Sequence, residues 1–200
     1  MNPILLWNIF SFRNEIKYVA TAFILVLCLP FIAVIALTHT GVEVVSDQLA
    51  VSGQNQTVEI KNPLNGTIIK KIQGPFIWPT KGVITLEFGE SDLPYQPFHT
   101  GIDIAGKTGN PIVAFMKGTV IYADEISWGY GKHVIIDNGN NISSLYGHLS
   151  KIYVSKGQEV KQGQIIGAEG STGWSTGPHL HFQTNLFGIP VNPRIFLHRG

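Results

Sequence analysis

Residues 132–149 read KHVIIDNGNNISSLYGHL, two apolar runs separated by polar residues and glycine, and they set the class of fold that we expect. Both runs are rich in Val, Ile, Leu and Tyr, which is typical of short strands. The Asn138-Gly139 pair between them is typical of a hairpin turn, because Asn and Gly adopt left-handed backbone conformations at low cost. We therefore predict two antiparallel strands that are joined at this pair.

The same rhythm continues on both sides of this hairpin. Short apolar runs such as GVITLEF, GIDIA, KIYV and QIIGAEG recur from Phe76 onward, and Gly, Pro or Asn separates nearly all of them. The chain contains 22 Gly and 11 Pro, more helix breakers than a helical bundle tolerates. The pattern predicts an all-β domain of antiparallel strands, a sandwich or a barrel-like fold, over residues 75–200.

Charge and cysteine content exclude two classes of function. The chain has 14 Lys and Arg against 13 Asp and Glu, and no basic cluster that would indicate a nucleic-acid partner. Cys28 is the only cysteine, so the predicted β domain has neither disulfides nor thiol chemistry. Leu27 precedes Cys28 where a lipoprotein signal needs a small residue, and we do not predict such a signal.

An uncharged run of 20 residues, 18–37, precedes all of this. At about 1.5 Å per residue, a helix over the run spans the roughly 30 Å apolar core of a bilayer. Basic residues precede it and acidic residues follow it, so the positive-inside rule predicts a cytoplasmic segment 1–17 and a transmembrane signal anchor 18–39. A cleaved signal peptide and a buried core helix remain alternatives, but the run is long and no clear cleavage site follows it.

Residues 40–74 show no sustained period. TVEI and GTIIKKI are short enough to be strands, and Asn62-Pro63 and Asn65-Gly66 indicate turns. We interpret this stretch as an extracytoplasmic linker that includes at most a hairpin, and leave open whether it packs on the β domain.

Two histidines, His179 and His181, alternate along one predicted strand. Side chains two apart on a strand point to the same face, with Cα atoms about 7 Å apart, whereas Leu180 between them points toward a core. Two imidazoles on one face can serve one metal ion, or a metal ion and its substrate. A polar surface face explains a single His-x-His pair equally well.

His99 and Asp103 lie four residues apart in FHTGIDIAG. Pro97 and Gly101 argue against a helix, and on an extended strand the two residues would stand about 13 Å apart. The chain must therefore curl at Thr100-Gly101 if both side chains are to reach one ion. A turn aspartate is the competing interpretation.

The histidines and Asp103 together indicate a function that no single one of these residues indicates alone. Two neutral imidazoles, one carboxylate and an open position form the ligand set of a catalytic zinc site. The remaining histidine contexts, among them His148 in SSLYGHLS, then supply groups that take a proton or stabilise an oxyanion.

Three segments, FHTGIDIAG, LYGHLS and STGPHLHF, resemble the three signatures of the lysostaphin/LytM-type zinc metallopeptidases. The resemblance covers residues 76–195, and it implies two facing antiparallel sheets and a substrate groove whose floor holds one Zn²⁺ per chain. It implies that His99, Asp103 and His181 bind the metal and that His148 and His179 are the catalytic histidines. On this resemblance, residues 75–200 are the metallopeptidase domain.

The resemblance implies a peptidoglycan hydrolase, a zinc metalloendopeptidase that cuts peptide bonds in the stem or cross-link peptides of the bacterial cell wall. With the membrane segment, it predicts a single-pass protein of the cell membrane whose catalytic domain faces the cell envelope. Gly-Gly bonds and D-amino-acid cross-links both remain candidates for the bond that is cut. Three other functions remain open: a non-catalytic LytM-like regulator of other cell-wall hydrolases, a carrier domain modified at Lys161, and a peptidase of protein substrates.

Three further residues carry weaker predictions. Gln183 stands where this family commonly has Glu, which predicts at most an indirect effect on the metal or the groove. Tyr95 is a candidate hydrogen-bond donor to an oxyanion, and we interpret His133 as a strand residue on the surface.

Overall fold

Antiparallel strands make up most of the regular structure in the computed structural model, which describes residue 41 and residues 44–53, 56–62, 64–91 and 98–197. Residues 44–49 are helical, and a short 3-10 helix, Pro193–Ile195, follows the last strand. The strands in chain order are β1 Ala50–Ser52, β2 Thr57–Lys61, β3 Ile68–Gln73, β4 Val83–Leu86, β5 Ile102–Ala105, β6 Pro111–Val113, β7 Gly118–Glu125, β8 Lys132–Gly139, β9 Ile142–Leu149, β10 Lys151–Ile152, β11 Glu159–Val160, β12 Ile165–Ala168, β13 His179–Leu186 and β14 Ile189–Val191. The all-β prediction is confirmed.

The described strands form three antiparallel sheets. The large sheet has the order β11-β7-β8-β9-β13-β5-β4, and β14 also pairs with β13. A small sheet has the order β10-β12-β6, and β1, β2 and β3 form the third. A two-sheet arrangement is thus present with an additional N-terminal sheet.

The small sheet covers one face of the large sheet. Ile112 of β6 is buried in the same core as Leu180 and Phe182 of β13. Phe115, just after β6, lies with its ring centroid 5.4 Å from that of Phe182 and donates its backbone N–H to the Tyr146 hydroxyl at 3.0 Å. Because strand side chains alternate, burial of Leu180 and Phe182 here turns the two histidines of β13 to the opposite face of the large sheet.

The predicted turn at Asn138-Gly139 is displaced by two residues. The β8–β9 hairpin instead turns at Asn140 and Asn141, which have φ of 55° and 60°. Asn138 continues β8, and its buried amide bonds the backbone oxygen of Lys117 at 3.1 Å and the hydroxyl of Ser144 at 2.9 Å. Tertiary hydrogen bonds therefore override the local turn preference of the Asn-Gly pair.

The described part of the predicted linker, residues 40–74, is folded. Its helical segment and its three-stranded sheet bury Leu49, Val58 and Ile60 in the same hydrophobic cluster as the end of the β domain. The Ser46 hydroxyl accepts a hydrogen bond from the backbone N–H of Asn192 at 2.9 Å. The stretch therefore packs on the domain instead of leading loosely to it.

Replacing Leu49 with alanine should lower the free energy of unfolding by about 2–5 kcal/mol, because Leu49 is 1% exposed and its loss leaves a cavity. Urea unfolding of a chain that starts at Gly41 measures this. Leu64→Ala is the matched control, because Leu64 is 93% exposed and should change the stability little. Equal effects of the two substitutions would contradict a structural role for the N-terminal segment.

The predicted membrane segment, 18–39, and the predicted cytoplasmic segment, 1–17, lie outside the described residues. Within the described part of the chain, no helix combines the length and the apolar character that crossing a bilayer requires.

Candidate metal centre

Three side chains, two of them close in sequence and the third about 80 residues away, converge on the open face of the large sheet. His99 Nε2 lies 3.0 Å from Asp103 Oδ1, His181 Nδ1 lies 2.9 Å from the same oxygen, and the two nitrogens are 2.9 Å apart. Ligands about 2.1 Å from a tetrahedral zinc ion lie roughly 3.4 Å from one another, so small shifts would fit this triangle around an ion. Among the described residues, these three form a cluster that could hold a metal ion.

The curl that we predict at Thr100-Gly101 brings His99 back beside Asp103. Gly101 permits it, because a Cβ there would lie 2.4 Å from the backbone oxygen of Phe182. Strand β5 then pairs with β13 so that Asp103 stands opposite His181. On an extended chain His99 and Asp103 would stand about 13 Å apart. The curl, together with the pairing of β5 with β13, brings them together instead.

The two imidazoles present different ring nitrogens to the cluster. His99 Nδ1 lies 3.1 Å from the backbone oxygen of Glu87, and donation there leaves its Nε2 lone pair facing the cluster. His181 Nδ1 faces the cluster, whereas its Nε2 is buried and has no hydrogen-bond partner within the described residues. With Nδ1 as a metal ligand, the proton of His181 resides on that buried Nε2.

The charge states of Asp103 and His181 also suit the binding of a cation. Burial raises the pKa of Asp103, but hydrogen bonds and charges from His181 and His99 lower it further, and the net pKa lies well below its ordinary value. Burial lowers the pKa of His181, which keeps its imidazole neutral. An ionised carboxylate and neutral imidazoles are the forms that bind metal ions, so the donor set fits zinc.

Two further histidines stand beside this cluster, with their ring centroids 4.6 Å apart. His148 Nδ1 lies 2.8 Å from the backbone oxygen of Thr172, and His179 Nδ1 lies 2.8 Å from that of Gly177. Both anchors leave Nε2 as the free nitrogen of the ring, and that of His179 is 3.6 Å from Asp103 Oδ2. Burial lowers the pKa of His148 to about 4, so its imidazole is neutral near pH 7.

His148 adopts a backbone conformation that few side chains tolerate. Its φ is 60°, in the left-handed region, and its backbone N–H donates to the backbone oxygen of Tyr130 at 2.8 Å. A non-glycine residue held in that region costs of order 1–3 kcal/mol and persists where the surroundings impose it. Such strain is often found at functional sites, and here the ring centroid of His148 lies 6.0 Å from that of His181.

All five residues predicted for the site thus lie together around one cleft of about 350 Å³. Tyr95 lies outside the described residues. His133 was placed wrongly on the surface: it is 5% exposed, and its ring stacks on that of Tyr122 at 4.4 Å. Gln183 accepts hydrogen bonds from Thr100 at 2.6 Å and from the Tyr130 hydroxyl at 3.1 Å, which ties the floor of the cleft to its wall.

The sequence did not reveal an ion pair that supports His99. Arg194 bonds the Glu87 carboxylate at 2.6 Å and 3.2 Å, and its guanidinium lies 5.3 Å from the ring centroid of Trp78. Glu87 is the residue whose backbone oxygen orients His99. Positions 87 and 194 are 107 residues apart, and no local pattern signals such a contact.

Replacing Arg194 with alanine should weaken zinc binding about tenfold, because groups that orient a metal ligand contribute roughly 10–100-fold to affinity. Competition between the protein and a chromophoric chelator measures the zinc Kd. Lys71→Ala is the control, since Lys71 forms an exposed ion pair with Glu59 far from the cleft along the chain. An unchanged Kd in a folded Arg194→Ala chain would exclude this supporting role.

Comparisons with known proteins agree with this geometry. Residues 97–193 match the model of peptidase family M23. The catalytic domain of the antimicrobial peptidase lysostaphin from Staphylococcus simulans is similar, with 34% identity, 59% of this chain and 93% of that chain covered, and a TM-score of 0.56.

Two curated proteins are also similar to this chain. DD-carboxypeptidase/endopeptidase Mpg of Neisseria meningitidis is 44% identical over 95 residues, 48% of this chain and 22% of Mpg. Murein hydrolase activator NlpD of Escherichia coli is 41% identical over 120 residues, 60% of this chain and 30% of NlpD. The chain thus spans less than a third of the length of either curated protein. The family model and the matched lysostaphin domain together show that this chain belongs to peptidase family M23.

Proposed function

We propose that this chain is a zinc-dependent endopeptidase that hydrolyses peptide bonds in bacterial peptidoglycan. One observation carries the proposal. Three potential metal ligands and two adjacent histidines with anchored rings converge in one cleft. The names of lysostaphin, a peptidase, and of Mpg, a carboxypeptidase and endopeptidase, support a peptidase reaction. The name of NlpD, a murein hydrolase activator, supports a role at the cell wall.

In this proposal His99, Asp103 and His181 hold the zinc ion. When bound, zinc supplies Lewis acidity and a water molecule whose pKa is lowered toward 7. The Nε2 atoms of His148 and His179 are the two groups that remain for proton transfer and charge stabilisation. One accepts the proton of the attacking water at the lone pair of Nε2. Because the Nδ1 proton of each ring bonds a backbone oxygen, the other histidine must carry a second proton, on Nε2, to donate a hydrogen bond to the oxygen of the scissile carbonyl.

A neutral His148 suits the role of the group that accepts the proton. A general base must be unprotonated at the working pH, and the burial that lowers the pKa of His148 keeps it so. The Nδ1 anchors on Thr172 and Gly177 fix both rings without using Nε2. The strained backbone of His148 is explained by the same need, since the strand must deliver a ring to the cleft at this residue.

The location that we propose follows from the sequence. A membrane anchor over 18–39 would hold the folded unit that begins near residue 41 outside the cytoplasm, close to the envelope. This places the cleft where peptidoglycan peptides are accessible.

Zinc dependence tests the proposal. Dye-labelled peptidoglycan incubated with the protein should release soluble dye, a chelator should abolish the release, and added Zn²⁺ should restore it. The Asp103→Ala variant with excess Zn²⁺ is the control, because it shows whether added zinc releases dye without the proposed metal site. Release that persists through complete removal of the metal would contradict the proposal.

A non-catalytic activator of other cell-wall hydrolases is the second candidate, and the similarity to NlpD favours it. The two candidates differ in what the protein does alone. A peptidase releases peptide-bond products without a second hydrolase, whereas an activator acts only when one is present. The intact cluster and both adjacent histidines favour the peptidase.

A further inference from the structure

Two tryptophans project from the loops that wall the cleft. Trp128 lies between β7 and β8, Trp174 lies between β12 and β13, and both line the same pocket as the metal cluster. They are 61% and 59% exposed, and their ring centroids are 6.2 Å apart with a 54° angle between the rings. The two indoles form the sides of a wedge, which we call the indole wedge, beside the site of the proposed reaction.

The loops that carry the indole wedge are locked to each other. The backbone N–H of Trp174 donates to the backbone oxygen of Gly129 at 2.8 Å, and that of Lys132 donates to the Thr172 hydroxyl at 2.9 Å. A Cβ on Gly131 or on Gly173 would lie 2.4 Å from backbone atoms of the other loop. Both glycines also have positive φ, 61° and 71°. The wedge is therefore preorganised, which lowers the entropic cost of binding a ligand there.

Large aromatic surfaces that stay exposed on a rigid support mark binding sites. The charge around this one restricts its ligand. Apart from Asp103, the described residues that line the pocket include no Asp, Glu, Lys or Arg, and Ser175 and Thr176 supply hydroxyl groups. A charged segment of a ligand would find no partner on this wall, so a neutral one with a flat apolar face fits better.

We propose that the indole wedge binds the saccharide rings of the glycan strand, so that the chain recognises peptides that are still attached to glycan. The inference rests on the proposed peptidoglycan substrate. Stem peptides carry free carboxylates and amines, whereas N-acetylhexosamine rings whose lactyl group is amidated carry no charge. A pyranose ring has an apolar face of C–H groups for the indoles and a rim of hydroxyl groups for Ser175, Thr176 and water.

A sugar-only probe tests the wedge without any catalysis. The β-1,4-linked tetramer of N-acetylglucosamine contains no peptide bond between amino acids, and calorimetry with the full chain measures its Kd. Wild-type protein should bind it saturably, and Trp128→Ala and Trp174→Ala should each raise the Kd about tenfold or more, the loss typical of a central aromatic contact. Trp→Phe substitutions at the same positions should retain most of the binding.

Tyr153→Ala is the matched control, since Tyr153 is an exposed aromatic residue at 56% that does not line the pocket. Absence of saturable binding by the wild-type chain would overturn the inference, and so would equal binding in folded tryptophan variants. An uncharged peptide without sugar that displaces the tetramer at similar concentration would assign the wedge to peptide instead.

Failure of this inference and failure of the proposed function are distinguishable. Sugar binding that depends on the wedge, in a chain that cleaves nothing, would support the wedge and count against the peptidase. Where the chain does cleave, kcat/KM should be higher for a stem peptide with its disaccharide than for the same peptide without it. Trp128→Ala should remove that preference through KM, and an unchanged preference would count against the wedge.

Discussion

Replacing His148 should leave the zinc content at one per chain and reduce peptidoglycan hydrolysis about 10²–10⁴-fold, the contribution of a positioned acid or base. The ring of His148 lies beside the cluster but is not among the three groups that form it. Metal binding and proton transfer are thus assigned to different side chains. Metal analysis and initial rates on the same preparations separate the two effects.

The choice of substitution matters at this position. His148 has φ of 60°, and alanine would bear the same backbone strain of about 1–2 kcal/mol without the ring hydrogen bond to Thr172 that holds the histidine in place. Asn tolerates that conformation, and His148→Asn is therefore the cleaner variant, with His148→Ala as its companion. Zinc lost in both variants would place His148 among the ligands, and full activity in both would exclude it from the reaction.

Replacing Asp103 with asparagine should empty the metal site and abolish hydrolysis. Asparagine keeps the shape of the side chain but removes its negative charge. Asp103 is the only anionic residue in the cluster. The two remaining ligands, His99 and His181, then supply no negative charge to balance that of the cation. Zinc per chain after dialysis should fall from one to near zero, and activity should fall with it.

Asp124→Asn is the control for this change, because Asp124 is exposed and lies outside the cleft. It should keep one zinc and its full rate. Asp103→Asn protein that retains one tightly bound zinc would contradict the ligand assignment, whatever its activity.

The positions of the histidines on β13 were predictable because strand geometry is local. Alternation alone directs His179 and His181 to one face and Leu180 to the core, and the structure has this arrangement. The family signatures add what alternation cannot, namely that His99, 80 or more residues earlier in the chain, joins them. The distance of 2.9 Å between His99 Nε2 and His181 Nδ1 results from the pairing of β5 with β13.

Three features depended on tertiary contacts and were not predictable. The β8–β9 turn moved to Asn140 and Asn141 because the amide of Asn138 is held inside the sheet. The segment before the β domain folds because Leu49 and its neighbours reach the same core as the C-terminal part of the chain. Backbone oxygens that orient the imidazoles of the cleft, such as that of Thr172, cannot be inferred from residue type.

Mass spectrometry of the chain ends that the purified protein creates in peptidoglycan is the most direct test of the central claim. Incubated alone with zinc, the protein should generate new amino and carboxyl ends at one type of peptide bond, and these ends should be absent with chelator and with His148→Asn. This result would establish the peptidase and identify its bond. If no new peptide ends appear with one zinc bound per chain, while an added cell-wall hydrolase is stimulated, the chain is an activator and the catalytic account is wrong.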